Sequence, residues 1–117
     1  NLLIGLCAES VPCGDFARQV LANADIVPLP DTNEADVRSL VTKIGVGELD
    51  AGIVYASDVV VADDIDGLDI PPEVNVVTAA SVAVLTETSN PSAAKAFVDF
   101  LLSAPGQAIL GRNGFTT

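Results

Sequence analysis

A chain of 117 residues with 16 acidic and five basic side chains carries a net charge of −11. That balance excludes nucleic acid as a partner, because no Lys/Arg patch is large enough to neutralise phosphates. The chain has no His, which removes the commonest general base and metal ligand, and its two Cys cannot make a zinc site without one.

Half of the residues are apolar but only 4% are aromatic, so the core must be built from Ala, Val, Leu and Ile. This mix suits a Val/Ile-rich sheet covered by Ala/Leu helices. No run reaches the ~18 apolar residues of a membrane span. The chain opens at Asn1 without a charged-then-apolar signal segment, and the expectation is a trimmed start.

Leu2–Leu6 (LLIGL) reads as a buried strand. The turn CAESVPCG follows, then a helix on which Phe16, Val20 and Leu21 recur at helical spacing. Pro12 falls in its first turn, where a missing N–H costs nothing. Cys7 and Cys13 have two readings: ordinary small residues near a strand end, or a disulfide in an oxidising compartment, which geometry must decide. Asn23–Pro30 contains IVPL, a candidate second strand broken by Pro28.

The clearest helix comes next, with Val37, Leu40, Val41 and Ile44 on one stripe and Gly45 and Gly47 at its end. Its cap is open between Asn33, with Asp36 at the third position, and Asp36 itself, which would leave the Val37 N–H free. Asp50–Tyr55 (DAGIVY) reads as another buried strand, and Ser57–Asp58 as the cap of a short Val/Ala helical turn. Asp63–Asp69 is a solvated acidic loop, and Val74–Thr78 and Ser81–Thr86 are strand-like runs. In the tail, Asn90 caps and Pro91 opens a helix predicted to bury Ala94, Phe97, Val98 and Leu101. Ser103 and Pro105 open a last helix ending near Gly111–Gly114. Strands alternate with helices, so the predicted class is α/β with a mainly parallel sheet.

Catalytic chemistry finds no support: there is no Gly-x-Ser-x-Gly elbow and no Walker loop, and nothing would hold the pKa values of Asp63 and Asp64 apart. Binding finds more. The helix starts near Cys13 and Val37 offer unpaired N–H groups and a positive dipole end, suited to an anion. Every α/β domain has such starts, so spacing alone is a weak signal. Tyr55, the sole Tyr, ends an apolar run where ligands of open α/β sheets bind. Its phenol either donates to an anion or simply packs its ring and meets water.

The segments ESVPCG (Glu9–Gly14), DVRSL (Asp36–Leu40), DAGIVYASD (Asp50–Asp58), NPSAAKAFVDFLL (Asn90–Leu102) and PGQAILGRNGFT (Pro105–Thr116) come in the order of the molybdate-binding proteins of bacterial ABC importers, and the chain resembles that family along nearly its whole length. DAGIVY followed by SD is fairly specific, VPxG alone is weak, and the tail pattern is widespread among extracytoplasmic solute-binding proteins. The resemblance implies a lobe of the type II periplasmic-binding-protein fold. Residues 1–78 would form the second lobe, and residues 79–117 the strand and helices that return to the first. It implies capture of molybdate or tungstate through the backbone N–H of Cys13, the backbone N–H of Val37 and the hydroxyl of Tyr55, with no cofactor and no metal held by side chains. It further implies a periplasmic or extracytoplasmic protein, lipid-anchored through a preceding segment in some members, that delivers the oxyanion to a membrane permease.

This chain departs from the family in three ways. Cys13 stands where a small residue, often Ala, is usual. The stretch between Leu21 and Asp31 is short and lacks a Gly-Leu-Trp type segment. The first lobe, with its two serine-bearing loops, is missing and is expected in the same protein or on another chain; the tail is expected either to dock differently on its own sheet or to pair with a second chain as in a domain swap. Two alternatives remain: a binding protein for another oxyanion such as sulfate, and the ligand-sensing effector domain of a transcription regulator.

Overall fold

The structure, a computed structural model, describes residues 2–116. The chain divides into two compact units, Asn1–Val77 and Thr78–Thr117.

The first unit is α/β. Strand β1 (Ile4–Cys7) leads into helix α1 (Pro12–Asn23), β2 (Thr32–Glu34) into α2 (Val37–Gly45), and β3 (Ala51–Gly52) into α3 (Ala56–Val61). The three strands make a parallel sheet in the order β2-β1-β3. Gly5 lies opposite Thr32 on one side and Gly52 on the other. Being central, β1 is the buried strand, with Leu6 and Cys7 almost fully enclosed. Two carboxylates hold its amino end: Leu3 N–H donates to Asp50 and Ile4 N–H to Asp31, both at 2.7 Å. Gly5 leaves room for close approach, because a Cβ there would push on the terminal methyls of Leu40 and Leu49. Leu40, fully buried on α2, thus seats that helix directly on the central strand.

Local chemistry ends the helices as it begins them. Asp25 (φ 56°) closes α1 and Gly47 (φ 75°) closes α2, each in the left-handed conformation. In both, the next N–H turns back on the last turn, Ile26 to the Leu21 carbonyl and Glu48 to the Lys43 carbonyl. These are Schellman ends, which satisfy carbonyls the helix leaves open.

The strand expectations need correction. The second strand is the polar Thr32-Asn33-Glu34, not IVPL; Ile26, Val27 and Leu29 are exposed and belong to no strand. The turn at Asp25 directs that run away from the sheet, and Pro28 and Pro30 cannot donate to a ladder. DAGIVY contributes only Ala51–Gly52, because β3 is an edge strand whose outer side meets no neighbour among the described residues. Val74–Thr78 and Ser81–Thr86 form no strand, since extended backbone becomes a strand only beside a partner.

The second unit holds helices α4 (Pro91–Leu102) and α5 (Ala104–Arg112). Asn90 accepts from Ala93 N–H, as the Asn-Pro signal predicts. Ser103 caps α5, and its hydroxyl donates to the Phe100 carbonyl at 2.6 Å. The expected burial of the α4 stripe is not met: none of its residues is buried, Ala94, Val98 and Leu101 are half-covered, and Phe97 is 59% exposed. A pair of short helices has too little surface to enclose an apolar stripe. No helix is long and apolar enough to cross a membrane among the described residues.

Candidate functional site

All three strands are parallel, so the turns that follow them emerge at one edge of the sheet. The β1–α1 turn leads to Cys13 at the start of α1, the β2–α2 turn leads to Val37 at the start of α2, and the segment after β3 ends at Tyr55. These three residues also share a core: Cys13 is packed with Cys7, Leu40 and Leu49, and Val37 and Tyr55 pack against that cluster.

The first turn is tightly built. Ala8 N–H donates to the Glu34 carbonyl at 2.8 Å, extending the β1–β2 ladder past the strand, and Val11 N–H closes back onto the Ala8 carbonyl. Cys7 and Cys13 form a disulfide, with Cα atoms 5.7 Å apart, joining the end of β1 to the second residue of α1. Gly14 is dictated by space, since a Cβ would strike the backbone carbonyls of Ala8 and Cys7. The glycine of the VPxG pattern therefore exists to let the helix start approach the strand end. The N–H of Cys13 has no protein partner among the described residues.

At the second turn the cap is Asp36, whose carboxylate accepts from Ser39 N–H at 2.8 Å. This bond to the Ser39 amide lowers the Asp36 pKa, so the cap is charged at neutral pH. Capping falls on the third residue, and the Val37 N–H is left without a protein partner among the described residues. The later of the two readings of this helix start is therefore the one adopted.

Tyr55 caps α3 through its backbone: its N–H donates to the Asp58 carboxylate at 3.1 Å. The cap is Tyr55 with Asp58 at the third position, rather than Ser57. Its ring meets Phe16 edge-on, at 6.4 Å between centroids and 70° between planes. Burial, with a smaller contribution from the Asp58 charge, raises the phenol pKa above 10.0. The group is thus an O–H donor at every physiological pH, and it has no hydrogen-bond partner among the described residues.

Two elements of this edge went unforeseen. Arg18, on α1, reaches Cys7 and Gly14 carbonyls with Nη1, Asn33 with Nη2 and Glu9 with Nε, at 2.7 to 3.0 Å. The signal was its position one turn below Gly14, on the same helix face as the turn. Glu34, buried at the end of β2, accepts from Lys43 of α2 at 2.8 Å. That bond lowers the Glu34 pKa and raises that of Lys43. Both side chains face protein acceptors. Among the described residues no cluster of three acidic or thiol side chains could hold a metal.

Unspent backbone donors and one phenol lie at the carboxyl edge of a parallel sheet, and the nearby carboxylates of Asp36 and Asp58 are engaged as helix caps, an arrangement suited to binding. The chain matches the family model of the bacterial extracellular solute-binding proteins over residues 2–116, and it belongs to that family. The family is one of binding proteins, not of enzymes. The chain is 36% identical to the molybdate-binding protein ModA of Mycobacterium tuberculosis and of Mycobacterium bovis over 116 residues, which is 98% of this chain and 44% of each relative. It is 26% identical to a putative ABC transporter substrate-binding lipoprotein, YvgL, of Bacillus subtilis, across 92% of this chain and 43% of that protein. The chain therefore spans less than half the length of the curated relatives it matches. No solved structure matches it significantly.

Proposed function

We propose that this chain supplies part of the site of a binding protein that captures a tetrahedral oxyanion, molybdate or tungstate, outside the cytoplasm and delivers it to the permease of an ABC importer. The observation that carries the reading is the meeting of three unspent donors at one sheet edge: Cys13 N–H, Val37 N–H and the Tyr55 hydroxyl. Neutral donors recognise a dianion by short, directed hydrogen bonds rather than by net charge. That is the mode open to a protein of charge −11, whose long-range field repels anions. The name of the mycobacterial relatives supports molybdate in particular. In this reading no cofactor takes part and the anion leaves unchanged.

The same reading assigns residues 1–78 to the second lobe, and 79–117 to the strand and helices that complete the first. The division of the chain at Val77 and Thr78 supports it. The buried Cys7–Cys13 disulfide supports an oxidising, extracytoplasmic location. A lipid anchor preceding Asn1 is suggested by the name of the Bacillus relative.

Calorimetric titration of the full-length protein with sodium molybdate, sodium tungstate and sodium sulfate tests the proposal. Saturable binding of the first two is expected. Preference for sulfate would move the protein to another oxyanion class, and no heat with any of the three would overturn the reading.

A further inference from the structure

We propose that Arg18 is a positioning residue, whose guanidinium sets the separation between the two helix-start donors. The inference rests on the oxyanion reading given above. Its basis is the set of partners Arg18 holds. Nη1 bonds the Cys7 carbonyl at the end of β1 at 2.8 Å and the Gly14 carbonyl in the first turn of α1 at 3.0 Å. Nη2 bonds Asn33 of β2 at 2.7 Å. Nε bonds Glu9, within the turn itself, at 3.0 Å. One side chain therefore ties the turn that presents Cys13 N–H to β2, the strand that leads to Val37 N–H.

The chemistry of the partners separates this role from charge. Three of the four acceptors are neutral, and the one carboxylate, Glu9, is 78% exposed, where an ion pair is worth little. The Arg18 side chain is itself only 17% exposed, so its planar fork is held in place by packing. A guanidinium donates in fixed directions from one plane, and an ammonium on a flexible stem cannot hold the first turn and β2 in that geometry at once. A Lys at this position would keep the charge and lose the brace.

The decisive experiment uses Arg18→Lys in the full-length protein, with three readouts: thermal unfolding, calorimetry with sodium molybdate, and the amide resonances of Cys13 and Val37 without ligand. The expected result is a folded protein whose molybdate affinity falls about 10- to 100-fold, the effect of misplacing one charge-assisted hydrogen bond. Both amide resonances should move, although Val37 lies on an element that Arg18 does not belong to. A purely electrostatic role predicts full affinity in Arg18→Lys, and a role confined to α1 predicts an unmoved Val37 amide; either outcome overturns the proposal. Should Arg18→Lys fail to fold, Asn33→Ala removes only the β2-side acceptor, and the same displacement of Val37 is then required. If the unaltered protein binds no oxyanion, the function reading falls, and the ligand-free amide resonances still decide whether Arg18 fixes one helix start relative to the other.

Discussion

Tyr55 is the side chain on which the binding reading is most exposed to test. Tyr55→Phe keeps the ring against Phe16 and removes only the hydroxyl. Losing one charge-assisted bond of about 1.5–3 kcal/mol should weaken molybdate binding by roughly one to two decades, with the melting temperature nearly unchanged. Titration calorimetry of the two proteins measures this, and equal affinities would return Tyr55 to a packing role. The pH dependence follows from the same group. Its pKa is raised above 10.0, and the protonated phenol is the donor, so affinity should hold through pH 10 and fall only beyond it. A Tyr55-dependent decline centred below pH 10 would contradict the assignment. Cys13 now carries two duties: its backbone N–H is the proposed donor, and its sulfur belongs to the disulfide. Cys13→Ala should therefore spare the donor but not the stability.

At the scale of elements, two ties hold the site edge to the sheet. The disulfide joins residues six apart and closes a short loop, so its chain-entropy contribution is about 2 kcal/mol. The Cys7→Ala/Cys13→Ala double variant should lose about that much stability, melt at a lower temperature and still bind. Differential scanning calorimetry checks it, and an unchanged melting temperature would mean that the turn is held by Arg18 and Gly14 alone. The second tie is Glu34–Lys43, between β2 and α2. The Glu34 pKa is depressed on folding, so its contribution is fully present above its ordinary value of 4.5 and lost as pH falls through the lower folded value. The Lys43 pKa is raised, so its share is present below 10.5 and lost as pH rises through the higher folded value. Glu34→Gln should flatten the acid limb of a stability–pH curve, and an acid limb that keeps its slope would show that the pair is not the group titrating there.

On the scale of the whole molecule, the notable feature is apolar surface left open. Phe97, Phe100, Leu102, Ile109 and Phe115 are all exposed in the second unit. Exposed apolar patches of this kind drive association. In the proposed reading the surface belongs against the lobe that the chain does not contain, consistent with its covering 44% of the mycobacterial relatives. The 117-residue chain by itself should then self-associate, through exchange of the tail between copies. It should also bind molybdate some two to four decades more weakly than the longer relatives, for want of the remaining donors and of closure. Light scattering that shows a strict monomer at high concentration, or matched affinities by calorimetry, would count against this account.

The sequence by itself determined the helices and the class. α1, α2, α4 and α5 were legible because their signals are local: Pro in the first turn, Asp36, Asn90 or Ser103 at the cap, an apolar stripe, and Gly47 or Gly114 beyond the end. The three candidate site residues were also within reach, since strand-to-helix turns show in the pattern and the family's motifs fall on them. Only the tertiary structure decided which runs became strands. A strand exists by virtue of its neighbour, so polar Thr32–Glu34 pairs with β1, while the more apolar IVPL, Val74–Thr78 and Ser81–Thr86 find no partner. Tertiary structure likewise chose Asp36 over Asn33 as the cap, because Asn33 is committed to β2 and to Arg18. It joined Cys7 to Cys13, and it brought one arginine of α1 against both β1 and β2. Those are contacts between segments, and their geometry is set by how the helices lie on the sheet, which no window of sequence contains.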